Sequence, residues 1–400
     1  MNKSTEHYID EIRRKVGSPE IVSTLTEDMM WSHHETLIWK ADKFDGAPYF
    51  NPVYKWENYY SFSLLALIVK KGNMNLNTAV YGKVKDPNFL SLYSHEIIDK
   101  DIEKIGGPLK NNQSIHDPKE YMAKVAAAMT ADIGDVEANN PGYVNLVLCG
   151  GKDSMNSLLL PWTNPVIALS AEPNYPLVCE FIKRNDLDIK VRRLEDVYDE
   201  EMLEQEQLEC CCRMELSNWK WGMDLRKISN EFNKKVIFWQ GQYSEILLST
   251  DWKYMIWPRN RFNNFLGKLH RITSPYMPPI MRFWIGERVA PDSFIRAWHF
   301  SSVKLGGHMA FIRALCSALA LSPYVGPNMT KLFSQVNQAR AVQYDRRAEL
   351  GPAILGREVW YPKENPGPEI SKFRYKAQNP DQFIKILQEN GIKVFEDVER

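Results

Sequence analysis

The chain has 400 residues, more than one domain usually holds, so two domains or one domain with a large extension are expected. Its 44% hydrophobic and 12% aromatic content suits a packed core and excludes a disordered chain. Lys plus Arg and Asp plus Glu number 50 each, which excludes a global field that gathers nucleic acid or an anionic membrane.

The first residues, Met1 to His7, carry no apolar signal segment, and no apolar run approaches the length a bilayer needs. A cytoplasmic protein without a membrane partner is expected. Thr5 to Val16 has helical spacing, with Tyr8, Ile9, Ile12 and Val16 on one face. Tyr59 to Lys70 and Leu76 to Val84, rich in β-branched and aromatic residues, read as strands broken by a turn at Lys71-Gly72-Asn73. Residues 1–138 are therefore expected to form an α+β region of unassigned role.

From Asn145 the rhythm changes. Val144 to Leu148 reads as a strand, Ser154 to Leu160 as a helix, Val166 to Ser170 as a strand, Tyr175 to Asn185 as a helix and Ile189 to Leu194 as a strand. A helix over Asn218 to Phe232 then leads into a buried strand, Val236 to Trp239, that runs up to Gly241. This alternation predicts an α/β domain over residues 139–370, a parallel sheet with helices on both faces and a helical C-terminal part. Residues 371–400 are left as a tail. In such sheets ligands sit outside the carboxyl ends of the strands, where the loop after Leu148 and Gly241 both fall.

All six cysteines lie at or after position 149, and none forms a Cys-x-x-Cys pair, so reduced thiols are expected. The Cys210-Cys211-Cys212 triplet leaves a sulfur-handling role open. Glu195 to Glu209 holds eight carboxylates and no base, whereas Lys253 to Arg288 holds seven Lys and Arg with Glu287 as its only acid. Such runs are usually solvated faces; the basic one could also rim a site for an anionic substrate.

The most informative stretch is Cys149-Gly150-Gly151-Lys152-Asp153-Ser154, set between the strand ending at Leu148 and a helix start. Two glycines let the backbone approach a charged ligand, and free N–H groups there attract anions. Neither Gly-x-x-x-x-Gly-Lys-[Ser/Thr] nor Gly-x-Gly-x-x-Gly is present at this strand. The stretch resembles the Ser-Gly-Gly-x-Asp-Ser pyrophosphate loop of the ATP pyrophosphatase superfamily, with Cys149 in place of the first Ser. That resemblance implies an adenine nucleotide α-hydrolase-like fold and cleavage of ATP between its α and β phosphates.

Further motifs narrow the resemblance to the synthetase domain of asparagine synthetases and β-lactam synthetases. Trp239-Gln240-Gly241-Gln242-Tyr243-Ser244-Glu245 is similar to that family's Ser-Gly-Glu-Gly-x-Asp-Glu element, with Gln242 replacing an acid. Leu350-Gly351-Pro352-Ala353-Ile354 followed by Tyr361-Pro362-Lys363-Glu364 keeps the relation of its Leu-Pro-x-x-Ile segment to an essential Lys. Ser322-Pro323-Tyr324-Val325 echoes its Arg-x-Pro-Phe-Leu-Asp element without the Arg or the Asp.

The resemblance implies ATP and Mg2+ as cofactors and an AMP-forming reaction on a small-molecule carboxylate or amide, followed by C–N bond formation. Charge builds on phosphate oxygens in such a reaction, so catalysis is stabilisation and alignment. The backbone N–H groups of Gly150 to Ser154, the Ser154 hydroxyl and Mg2+ would supply it, with Asp153 and Glu245 as Mg2+ ligands and Lys363 facing pyrophosphate or the amine adduct. Lys152 ranks below Asp153 and Ser154. Leu148, Cys149, Leu169, Gly241 and Gln242 would line the nucleotide.

No Cys follows Met1, so the family's N-terminal glutaminase is not expected in its known form; nitrogen would come from ammonia, a substrate amine or a separate donor protein. Two other readings stay open. A sulfur-transfer or tRNA-modifying relative would use the cysteine triplet and the basic stretch, although zero net charge disfavours nucleic acid. A non-catalytic nucleotide-binding protein would explain Cys149 and Gln242 as wear.

Overall fold

The computed structural model describes residues 3–32, 36–45, 53–84, 98–105, 114–195, 221–241, 244–248, 318–337, 345–363 and 380–396, with single positions 205, 208, 312, 316, 341, 342 and 366. The Cys210 triplet, the basic stretch Lys253 to Arg288, most of the acidic stretch and Gln242 lie outside the described residues.

The N-terminal region begins with α1 (Lys3–Gly17), which buries Tyr8, Ile9, Ile12 and Val16 as its spacing predicts. Then follow β1 (Glu20–Thr26), α2 (Glu27–Ser32), β2 (Trp39–Asp45), β3 (Val53–Trp56), β4 (Tyr59–Ser61), α3 (Leu64–Lys71), β5 (Asn73–Leu76), α4 (Thr78–Val84) and β6 (Glu103–Ile105). One sheet runs in the order β1-β2-β4-β3-β6, parallel between β1 and β2 and antiparallel elsewhere.

Two strand expectations are corrected here. Of Tyr59 to Lys70 only Tyr59–Ser61 is extended, and the apolar run beyond it is α3. The caps decide this: Ser63 Oγ accepts the Ala66 N–H at 3.2 Å, and Gly72, at φ +73°, returns its N–H to the Ile68 carbonyl at 3.0 Å. Leu64 to Val69 are all buried, and a short continuous apolar run reads alike as buried strand or buried helix. The strand expected over Leu76 to Val84 is likewise α4, whose first turn Asn77 caps by accepting the Val80 N–H at 3.3 Å. Extended backbone lies instead in β5, which starts at the expected turn residue Asn73.

The second region opens with α5 (Pro118–Asn139), capped by Asp117, whose Oδ1 accepts the Glu120 N–H at 2.8 Å, with Pro118 pre-set for the first turn. Next come β7 (Val144–Leu148), α6 (Lys152–Leu158), β8 (Val166–Ser170), α7 (Tyr175–Arg184), β9 (Lys190–Arg193), α8 (Gly222–Glu231), β10 (Val236–Gln240), α9 (Ser244–Leu247) and β11 (Leu319–Leu321). The chain continues through α10 (Pro327–Phe333) and α11 (Arg347–Leu355), then α12 (Pro380–Glu389) and β12 (Lys393–Glu396).

Five strands form a second sheet, order β11-β10-β7-β8-β9, parallel throughout. This is the α/β alternation the sequence predicts. The chain builds outward from β7 through β8 and β9, then returns to build β10 and β11 on the other side of β7. Strand order therefore reverses between β7 and β10, and such reversals open a crevice at the carboxyl ends of the two strands. None of the described helices is long and apolar enough to cross a membrane.

One apolar core joins α5 and the parallel sheet to part of the N-terminal region, including Trp31 of α2, Trp39 of β2 and Phe62. A second gathers residues of α1, α3, β5 and α12. The stretch expected as a tail supplies β12, which pairs parallel with β5. Although α5 falls in the segment expected as the extension, its polar contacts go to the parallel sheet. Glu137, buried, accepts Asn145 Nδ2 at 2.6 Å, the Thr163 hydroxyl at 2.6 Å and the Asn164 N–H at 2.9 Å, while Asn145 Oδ1 accepts the Trp239 indole N–H at 2.8 Å. Nearer the start of α5, Asp132 takes the Asn328 and Met329 N–H groups at 2.9 and 3.1 Å and so caps α10.

Glu137 thus ties α5 to β7, β10 and the connection into β8. Removing it strands several buried donors, so Glu137→Ala is expected to lower the unfolding free energy by about 3–5 kcal/mol, read from a urea denaturation midpoint.

Candidate functional site

The site grows from the end of β7. Cys149 extends the ladder by one step, its N–H on the Leu169 carbonyl at 2.7 Å, and its own carbonyl accepts the Ser170 hydroxyl at 2.8 Å. Beyond it the chain leaves the sheet through Gly150 and Gly151 and enters α6 two residues earlier than the sequence predicts. The amides of Gly150 and Gly151 both point at Ser154 Oγ, at 3.0 and 3.4 Å, and that hydroxyl donates to the Gly151 carbonyl at 3.1 Å. Two backbone donors thus converge on one oxygen, the arrangement by which turn amides hold anions, with the Ser154 hydroxyl in the acceptor position.

Across the crevice, Gly241 rests on the first turn of α6. A Cβ there would lie 2.7 Å from Asp153 C and from Ser154 Cα and would also collide with Ser154 N, all backbone atoms that cannot yield. Glycine is required by close approach, and the strand ends the sequence marked separately, at Gly150 and at Gly241, become one site.

Three C-terminal segments are pinned to α6. Tyr324, fully buried, donates its hydroxyl to the Asp153 carbonyl at 2.7 Å. Asn156, also buried, donates to the Arg347 carbonyl at 2.7 Å and accepts the Tyr361 hydroxyl at 2.5 Å. The chain around Tyr361 is fixed from the far side as well, because Asn185 exchanges two hydrogen bonds with the Trp360 backbone, both 2.9 Å, and the Arg184 guanidinium lies 4.4 Å from the Trp360 ring centre. Lys363 follows two residues later and is exposed.

Asp153 does not face solvent alone. Arg347 Nη1 lies 3.3 and 3.4 Å from its two oxygens, and Arg347 is itself forked onto Asp345, Nε to Oδ1 and Nη2 to Oδ2, each at 2.8 Å. Burial raises the Asp153 carboxyl above its ordinary value, and the Arg347 charge only partly offsets this. Burial acts on Asp345 too, but there the guanidinium prevails and holds the carboxyl low. Arg347 is pushed up by its hydrogen bonds to Asp345 and stays charged. Burial drives the Cys149 thiol upward, so it is a neutral, packed group and no nucleophile.

Several buried polar atoms at these strand ends have no hydrogen-bond partner among the described residues: Gln240 Oε1 and Nε2 and Asn174 Oδ1. Gln240 sits opposite Leu148 in the β7–β10 register. Ser244 faces the Asp153 carboxylate, and Asn174 Nδ2 lies 3.8 Å from the Cβ position of Gly150. Orphaned polar groups are costly, and those of Gln240, at the end of β10, and Asn174, beside Gly150, fit a polar ligand that completes them.

Of the residues singled out by sequence, the structure brings together Leu148, Cys149, Gly150, Gly151, Lys152, Asp153, Ser154, Leu169 and Gly241. Gln242 is outside the described residues. Glu245 lies on the single turn α9, beside Ser244, and its side chain is not among those described. Sequence reasoning missed Arg347, Asp345, Asn156 and Asn174, and gave Tyr324 no role. The available signals were a charged Asp345-Arg346-Arg347 triplet just before Leu350 and an amide on the buried face of α6. No three His, Cys, Asp or Glu side chains gather as a metal cluster among the described residues. A scan of protein-family models gives no match to the chain, and a search of curated proteins gives none either.

Two substitutions test this geometry. Gly241→Ala is expected to cost about 1–3 kcal/mol of stability, while Gly150→Ala, whose nearest neighbour is 3.8 Å away, stays within about 0.5 kcal/mol of the parent in the same denaturation series. Tyr324→Phe leaves the Asp153 carbonyl without that donor and is expected to lower stability by about 1–2 kcal/mol.

Proposed function

We propose that the protein is an ATP-dependent, AMP-forming ligase that activates a small-molecule carboxylate or amide through adenylation and then forms a C–N bond. The observation that carries this reading is the meeting of the Gly-Gly-Lys-Asp-Ser loop and Gly241 at the point where strand order reverses. Open parallel sheets place nucleotides at that point. In support, the C-terminal segments similar to the synthetase family, around Tyr324, Leu350 and Tyr361, all lie on the helix that carries the loop.

The residues fit a polyphosphate that displaces the Ser154 hydroxyl: the Gly150 and Gly151 amides now on Ser154 Oγ would turn to a phosphate oxygen, with the orphaned Gln240 and Asn174 amides nearby. They fit Mg2+ only as an ion shared with phosphate oxygens, with Asp153 as a protein ligand, since Mg2+ in such sites uses one or two carboxylates. ATP would supply the leaving pyrophosphate and the AMP that activates the substrate. The chain's own part is to hold phosphate oxygens on the Gly150 and Gly151 amides, to fix the loop through Tyr324 and Asn156, and to present cationic Arg347 and Lys363 where charge develops. The nitrogen donor is ammonia, an amine of the substrate, or the product of a separate protein.

Purified protein with ATP and Mg2+ is expected to release pyrophosphate and AMP only when the right member of a carboxylate pool and ammonia are supplied. Asp153→Ala should lower that rate roughly 100-fold or more. Appearance of ADP and phosphate instead would overturn the proposal. Nucleotide binding without turnover across the pools would favour the non-catalytic reading.

A further inference from the structure

We infer that Arg347 is a phosphate-binding cation which Asp153 holds in place until a polyphosphate takes over its free edge. The inference rests on the polyphosphate reading of the loop and goes beyond it, because that reading assigns no partner to the Asp153–Arg347 pair.

The geometry divides the guanidinium into a fixed and an exchangeable side. Nε and Nη2 make a two-bond fork with Asp345 at 2.8 Å each, and the Arg347 backbone N–H adds a third bond to Asp345 Oδ1 at 3.1 Å. The Arg347 carbonyl is held by Asn156 at 2.7 Å. The remaining edge, Nη1, straddles Asp153 at 3.3 and 3.4 Å, longer than the ~2.7–2.9 Å of a strong charge-assisted bond. The tight contact anchors; the loose one can be replaced.

Access favours the same conclusion. The Arg347 and Asp153 side chains are 24% and 30% exposed, so a solute reaches the pair, whereas the Lys71–Asp99 pair of the N-terminal region is 3% and 0% exposed and purely structural. Asp153 immediately precedes Ser154, whose hydroxyl the loop amides converge on. A phosphate seated there meets the Asp153 charge first. Two carboxylates already share one guanidinium, so the approach of an anion is unfavourable while Arg347 stays on Asp153. Turning Nη1 onto a phosphate oxygen gives the anion a charge-assisted bond from a guanidinium that the Asp345 fork keeps in place. It also frees the Asp153 carboxylate.

The test is calorimetric titration of the full chain with inorganic pyrophosphate in EDTA, comparing the parent with Arg347→Gln, Asp153→Asn and the double variant. Arg347→Gln should weaken binding about tenfold. Asp153→Asn should tighten it by roughly threefold or more, and that gain should vanish in the Arg347→Gln background because it acts through the arginine. Additive effects, or parent-like affinity in Arg347→Gln, overturn the inference and leave the loop reading standing. Absence of pyrophosphate binding by the folded parent overturns the loop reading and this inference with it. Arg347→Lys, which keeps the charge and loses the fork, should bind with an affinity between parent and Arg347→Gln, and it carries the test if the Gln variant does not fold.

Discussion

The bare backbone of residue 241 lets two strand ends close on each other. β7 and β10 are adjacent in the sheet, but the helix following β7 leaves the sheet at the same level as the chain following β10. A single methyl at 241 would meet the Asp153–Ser154 backbone and force those levels apart. With glycine, the first turn of α6 sits under Gly241, the loop amides turn inward on Ser154, and Ser244 comes to face Asp153. The crevice at the strand-order reversal depends on this contact.

Around that contact, α6 serves as a short post to which distant chain is tied. Tyr324, the start of α11 and Tyr361 reach it from separate segments, each through one hydrogen bond to Asp153 or Asn156. Such contacts are modest singly, about 1 kcal/mol each, yet an unmade one leaves a buried polar group unpaired. Their effect is positional: they bring Arg347 to the loop and set the chain that leads to Lys363. On the opposite side Glu137, through Asn145, fixes β7 relative to β10, so the loop is steadied from both ends of its strand.

The parallel sheet was legible in the sequence because its strands are short apolar runs separated by helices with clear spacing, and β7, β8, β9 and β10 fall where the pattern puts them. The N-terminal region was less so. Leu64 to Val69 is buried all round, which erases the periodicity that separates helix from strand, and the deciding features are single residues at its ends, Ser63 and Gly72. In the site, the loop declares itself by local composition, because its turn is set by its own Gly150, Gly151 and Ser154. Arg347 does not. It meets Asp153 across 194 positions of chain, and nothing local to either residue encodes the pairing. Lys363, picked out by its motif, is exposed, whereas the side chains that fix its segment are Tyr361, bonded to α6, and Asn185, at the end of α7.

Cysteine at 149, in place of the serine of the loop motif that this stretch resembles, looks at first like a sign of wear. The surroundings say otherwise. Cys149 is buried, its Sγ lies 3.9 Å from the Ser154 carbonyl, and the groups it contributes to the loop are its N–H on Leu169 and its carbonyl on Ser170. Both are backbone atoms and indifferent to the side chain. The hydroxyl on which the loop amides converge belongs to Ser154, which is retained. A small apolar thiol fills the space under the loop as a serine would, without a second hydroxyl to satisfy. The exchange therefore alters packing beneath the anion-receptive loop and leaves its donors intact, so position 149 gives no ground for treating the site as lost.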